Sequence, residues 1–129
     1  MKPAWLLLLP ALGACTPTTA PPGTGWSRAP DLSAYSAMVL FADIAREQSV
    51  LCGGFSPGVV ARRWDEDFGA REAAIAAALA ARHGTDAVAR AEAEAVAAQR
   101  VPCSSVPNLD WRYRYGRMLR LLEARLGRA

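Results

Sequence analysis

Apolar residues recur at steps of three and four through most of the chain after residue 30, which is typical of amphipathic α-helices. The first helix is predicted from about Asp31 to Leu51, with Asp31 or Ser33 as its cap. Cys52-Gly53-Gly54 is expected to end it, because glycine takes the left-handed conformation without steric cost. Its apolar face is formed by Leu32, Tyr35, Met38, Val39, Ala42 and Ala45.

A second helix is predicted to begin at Ser56-Pro57, where serine supplies the N-cap and proline suits the first helical position. Its apolar stripe stays in phase across Gly69. This favours one long helix to about Arg82, bent near that glycine or straight, over two helices that meet there. His83-Gly84 is expected to close it, with His83 near the terminal carbonyls. The stripe consists of Val60, Trp64, Phe68, Ile75 and Leu79.

Two further helices complete the pattern. Thr85 is expected to cap an alanine-rich helix over about Asp86–Arg100, with Val88 and Val96 on its face, packed against the alanines of 73–81. Asn108 is expected to cap the last helix, about Leu109–Leu126. No stretch alternates with period two for long enough to predict a strand. The chain is therefore predicted to be all-α, a small bundle or orthogonal array of about four helices. The apolar face of the last helix contains Trp111, Tyr115, Met118, Leu119, Leu122 and Leu126.

The N-terminus has a different pattern. Lys2 is followed by an apolar run that Pro10 interrupts and that is too short to span a bilayer. The run ends in Leu12-Gly13-Ala14-Cys15, which resembles the lipobox of bacterial lipoproteins. The resemblance covers residues 1–15. It implies a signal peptide at 1–14 and an anchor of acyl chains, such as palmitate, on Cys15. An ordinary signal peptide that carries a cysteine near its end is the alternative.

Residues 15–30 are rich in Pro, Thr and Gly, a composition that predicts a disordered tether. At ~3.1 Å per residue, it could hold the domain at 31–129 up to roughly 45 Å from the bilayer. Thr16 stands where lipoproteins retained in the inner membrane often carry Asp. In a Gram-negative cell this favours the outer membrane, facing the periplasm. Trp26 is expected to pack on the domain rather than dip into the headgroups.

Two cysteines remain once Cys15 is assigned to the lipid anchor. Cys52 and Cys103 both fall at helix ends or in loops, and an oxidising periplasm favours a disulfide between them. Closing a loop of about fifty residues would stabilise the domain by ~4 kcal/mol. The alternative is a reactive thiol at Cys52, beside two glycines.

The chain shows no marked catalytic or metal-binding pattern. His83 is its only histidine, and Asp65-Glu66-Asp67 lacks the alternating ligands of a calcium loop. Without residues 1–14, 14 arginines face 12 acids; the resulting charge of about +2 is too small to predict a nucleic-acid partner. We therefore expect no catalytic residue, cofactor or metal. The alternative is a cell-wall-directed enzyme that uses those three acids as acid and base.

The last helix is the most distinctive polar feature of the chain. Its arginines and aromatics could bind anionic lipid or lipopolysaccharide, although a solvated polar face over a core of aromatics is the favoured interpretation. The leading hypothesis is a non-enzymatic lipoprotein that docks an envelope protein through this helix or through the Gly53–Pro57 loop. The candidate binding surface on the helix consists of Trp111, Arg112, Tyr113, Arg114, Arg117 and Arg120.

Overall fold

A computed structural model describes residues 29–96, Cys103 and residues 108–127, without the side chains of 108–110. The signal peptide, Cys15, the tether and Trp26 lie outside the described residues. This part of the chain contains helices and no strand, which confirms the predicted all-α class. The helices are α1 (Asp31–Leu51), α2 (Pro57–Trp64), α3 (Ala70–His83), α4 (Thr85–Val96) and α5 (Asn108–Leu126).

The start of α1 differs from the prediction. Pro30 is the N-cap and no side chain caps the helix, so the expected capping by Asp31 or Ser33 is wrong. The carboxylate of Asp31 instead lies 3.6 Å from Arg82 and 4.0 Å from Arg125. Asp31 thus links the start of α1 to the ends of α3 and α5 and does not cap its own helix.

A π-helical turn, Asp65–Gly69, joins α2 to α3 in one continuous helix. Ser56 caps α2 as predicted: its Oγ accepts from the backbone N–H of Val59 at 3.4 Å. An added Cβ at Gly69 would collide with the Asp65 carboxylate, so glycine leaves room for that side chain. The prediction of one long helix through Gly69 is confirmed. The helix is irregular near this glycine, where i→i+5 hydrogen bonds replace the usual i→i+4 pattern.

The turn into α4 is set by Gly84, whose φ of +89° suits glycine and whose N–H donates to the Ala80 carbonyl at 2.9 Å. Thr85 is the first residue of α4, so the prediction that it lies outside the helix as its cap is wrong by one position. Val96 is 73% exposed, contrary to its expected place on the apolar face. Residues 97–100 of the predicted helix lie outside the described part.

The core forms where α1 packs between α4 on one side and α5 on the other, with α3 contacting both of those helices. Small residues let α4 approach closely: Ala91 and Ala95 are buried there. Larger side chains fill the space near α5. The largest fully buried side chains are Tyr115, Met38, Ile75, Leu79, Leu119 and Leu122.

Candidate binding surfaces

An open groove of about 510 Å³ lies where the end of α1, α2 and the start of α5 meet. We call it the Phe55 groove. Its apolar residues come from the loop and α2, and its charged residues come from α2, the π-helical turn and α5. The lining consists of Ser49, Phe55, Val59, Val60, Arg63, Trp64, Glu66, Asp67 and Arg112.

The loop that presents Phe55 is built by the end of α1. The N–H groups of Cys52 and Gly53 both donate to the Gln48 carbonyl, at 2.9 and 3.2 Å. Gly54 then turns the chain with a φ of +70°. Phe55 is left 53% exposed, a high value for a large apolar side chain in a small domain.

A disulfide joins the start of this loop to Cys103, which is distant in sequence. Cys52 and Cys103 are bonded; their Cα atoms are 5.6 Å apart, and the two residues are 51 positions apart in sequence. The Cys52 sulfur is therefore not a free thiol in this structure. The bond fixes the start of the loop that presents Phe55 to Cys103.

An aromatic cluster forms the floor under the groove. The Trp64 ring lies 4.8 Å from the rings of both Phe68 and Tyr115. Trp64 Nε1 donates to a Glu72 carboxylate oxygen at 2.8 Å, and the Tyr115 hydroxyl donates to the same oxygen. Burial, together with the bond to Glu72, raises the pKa of Tyr115 far above its ordinary value. Both polar atoms of this cluster, Trp64 Nε1 and the Tyr115 hydroxyl, therefore have a hydrogen-bond acceptor.

The acids of the groove are paired with arginines. Asp67 forms an ion pair with Arg112, whose guanidinium also lies 5.4 Å above the centre of the Phe68 ring. Glu66 lies 3.9 Å from Arg62, with both side chains well exposed. Asp65 is exposed and does not line the groove.

The six residues predicted as a binding surface on α5 divide between two sides of the helix. Trp111 packs inward, 4.8 Å from Phe41, and Arg112 turns to Asp67. The other four are exposed: Tyr113, Arg114, Arg117 and Arg120. Leu121, which the sequence interpretation did not include, is 42% exposed beside them. We call these four residues and Leu121 the outer face of α5.

Other polar side chains of α5 point toward the domain. Glu123 accepts two hydrogen bonds from Arg71 of α3, at 2.6 and 2.7 Å. These bonds are the main reason that the pKa of Glu123 is lowered and that of Arg71 raised. Arg125 donates to the Ala29 carbonyl at 2.6 Å. Glu123 and Arg125 thus connect α5 to the rest of the domain.

Few other groups suggest chemistry. No three metal-binding side chains come together within the described ranges. His83 is exposed at the end of α3, as expected for a helix terminus. None of the described helices is both long enough and apolar enough to cross a bilayer.

The Phe55 groove was only partly visible in the sequence. The Gly53–Pro57 loop was identified as exposed, but Val59 and Arg63 were not linked to it. Their spacing could have indicated them, because Phe55, Val59 and Arg63 follow one another at intervals of four residues, which places Val59 and Arg63 on the same face of α2. Comparison with known proteins finds no matching protein family, no matching curated protein and no matching solved structure.

Proposed function

We propose that this chain is a membrane-anchored envelope lipoprotein whose helical domain docks another envelope protein and has no catalytic activity. The Phe55 groove is the observation that carries the proposal. It presents a half-exposed phenylalanine and two valines beside Trp64, whose ring packs against the buried Tyr115. Protein interfaces concentrate binding energy in such apolar, aromatic-rich hollows surrounded by polar groups.

The charges at the groove favour a protein partner over a substrate. Asp67 and Glu66 each have an arginine partner, Arg112 and Arg62. A hydrolase that uses two carboxylates needs them free to exchange protons with substrate and water. Paired charges around an apolar centre instead resemble the rim of an interface. The partner segment is expected to insert an apolar side chain against Phe55 and to carry charges that meet this rim.

The location is proposed from the sequence. The lipobox-like Leu12–Cys15 implies lipid attachment, and Thr16 favours the outer membrane of a Gram-negative cell. Mass spectrometry of the N-terminus from the native host, with its membrane fraction, tests this. An acylated Cys15 is the expected result, and an unmodified soluble product would contradict it.

The docking proposal can be tested by photo-crosslinking in cells of the native host. A photoreactive amino acid at Phe55 is compared with the same amino acid at Ala81, an exposed position of α3 that does not line the groove. We expect a discrete crosslinked protein from position 55 that is absent from position 81. The crosslinked protein is then identified and purified, and its binding to the mature chain is measured directly.

A variant of the groove wall provides the matched control. Val59→Asp places a charge on the wall but stands in the first turn of α2, where an acidic residue stabilises the helix. Folding should therefore be retained while the crosslink is lost, and direct binding should weaken by roughly tenfold or more. Equal crosslinking from positions 55 and 81, or full binding by Val59→Asp, would reject the groove as the docking site.

A further inference from the structure

We infer that the outer face of α5 is a second binding surface, which lies on an anionic phospholipid membrane and orients the anchored domain. The inference goes beyond the docking proposal and rests only on its envelope location. Its central residues are Tyr113, Arg117, Arg120 and Leu121.

These four residues form one continuous strip. Steps of three and four along a helix keep side chains on one face, and eight residues span about 12 Å. Tyr113 is 63% exposed and Leu121 42%, with the exposed side chains of Arg117 and Arg120 between them. A tyrosine and a leucine beside two arginines match the interfacial zone of a bilayer, where apolar groups sink below the headgroups and guanidinium groups meet phosphates.

The strip has a single sign of charge. No ion pair involves Arg117 or Arg120 within the described part of the chain, and they stand three residues apart, where like charges repel. Glu123 accepts two hydrogen bonds from Arg71, and the charge of Arg120 is a smaller cause of its lowered pKa. The other acid of this helix, Asp110, precedes Arg117 by two turns in the sequence. Surfaces that face only water usually mix the two signs.

The anchor makes weak lipid binding sufficient. A tether of about fifteen residues would keep the domain within roughly 45 Å of the bilayer, so contact with the surface becomes an intramolecular event. Two arginines with a tyrosine and a leucine give modest affinity alone, yet enough to favour one orientation of a tethered domain.

The orientation leaves the other surface accessible. At 3.6 residues per turn, Arg112 stands about 140° around α5 from Arg117 and about 80° from Arg120, the nearest residue of the strip. The Phe55 groove, which Arg112 lines, is therefore not on the strip that faces the lipid. Membrane contact through α5 would hold the groove in a fixed direction for its partner.

Vesicle binding of the purified mature chain tests the inference. The chain begins at residue 15 with Cys15→Ser, which removes the lipid; the described core uses only residues beyond Ala29. Co-sedimentation is measured at low salt with vesicles of phosphatidylcholine, alone or mixed with phosphatidylglycerol. We expect binding to the mixed vesicles only, and weaker binding as salt is added. Equal binding to neutral vesicles, or no binding to mixed vesicles at low salt, overturns the inference.

Two double variants separate the strip from general charge. Arg117→Gln with Arg120→Gln should lower the partition coefficient roughly tenfold to thirtyfold. Arg62→Gln with Arg90→Gln removes the same charge from exposed sites off α5 and should leave it within about threefold. Equal losses in both overturn the inference. Leu121→Ser should weaken binding at constant charge, and unchanged binding would contradict contact with the membrane interior. These measurements need no protein partner, so their failure would leave the crosslinking test at Phe55 unaffected.

Discussion

Arg71 of α3 and Glu123 of α5 form a bidentate ion pair: Nε donates to Oε1 at 2.6 Å, and Nη2 donates to Oε2 at 2.7 Å. The two residues are 52 positions apart in sequence and each is a little over one third exposed. This bidentate geometry is the strong form of an arginine–carboxylate pair. It joins the two helices.

The pair predicts a pH-dependent contribution to stability. The pKa of Glu123 in the folded protein lies below its ordinary value of 4.5, so the stabilisation is present above about pH 4.5 and is lost as pH falls through the lowered pKa. Glu123→Gln should lower the free energy of unfolding by up to ~1 kcal/mol at neutral pH, because solvent screens the pair. The difference from wild type should vanish in acid. Urea unfolding at several pH values measures it.

Glu94→Gln is the matched control for that experiment, since it removes an exposed carboxylate from α4. It should change the free energy of unfolding little at any pH. A Glu123→Gln deficit that stays constant into strong acid would contradict the assignment.

Glu72, a partly buried residue beside the aromatic cluster, is predicted to be sensitive to substitution. One of its oxygens accepts from both Trp64 and Tyr115. Glu72→Ala leaves these two donors without an acceptor and should lower the free energy of unfolding by about 2–4 kcal/mol. Glu72→Gln keeps a carbonyl oxygen that can accept both bonds, so its loss should be clearly smaller. Chemical denaturation measures the unfolding free energies of both variants. Equal losses would show that the hydrogen-bond acceptor at position 72 does not stabilise the domain.

Alkaline pH should destabilise the domain through its two most buried tyrosines. Burial and hydrogen bonds to Glu92 and Glu72 raise the pKa values of Tyr35 and Tyr115, respectively, above the ordinary 10.0. Their stabilisation is complete below about pH 10 and is lost as pH rises above it, because the unfolded chain then releases protons that the folded protein holds. Unfolding free energies between about pH 8 and pH 11 should fall less steeply for Tyr115→Phe than for wild type. Equal slopes would reject this mechanism.

The disulfide should contribute the largest single increment of stability. Cys52→Ser with Cys103→Ser releases a loop of 51 residues and should cost up to ~4 kcal/mol. Thiol titration of the unfolded, unreduced mature chain should find no free thiol from this pair. Cys52→Ser alone provides the control, because it should expose one titratable thiol at Cys103. Free thiols at both positions in the oxidised wild type would rule out the bond.

The local features of the fold were predictable because neighbouring residues decide them. The Ser56-Pro57 start of α2 and the end of α3 at Gly84 follow from capping and backbone conformation within one turn. The capping role given to Asp31 was wrong because its carboxylate found Arg82 and Arg125, which are distant in sequence. A long-range ion pair competed with a local hydrogen bond, and no pattern near residue 31 indicates it.

The sequence by itself determined the all-α class, the approximate bounds of its helices, the pairing expected for Cys52 and Cys103, and the lipobox-like start. These features follow from hydrophobic periodicity, capping residues and the number of cysteines, all of which depend only on the order of residues. The sequence also predicted the apolar side of α5, and its six residues are buried or packed against the core. Only the tertiary structure decided the direction of Arg112, because its partner Asp67 lies on the π-helical turn, far away in sequence. The Phe55 groove likewise exists only where three segments meet, because a concave surface depends on the packing of elements and not on any one of them.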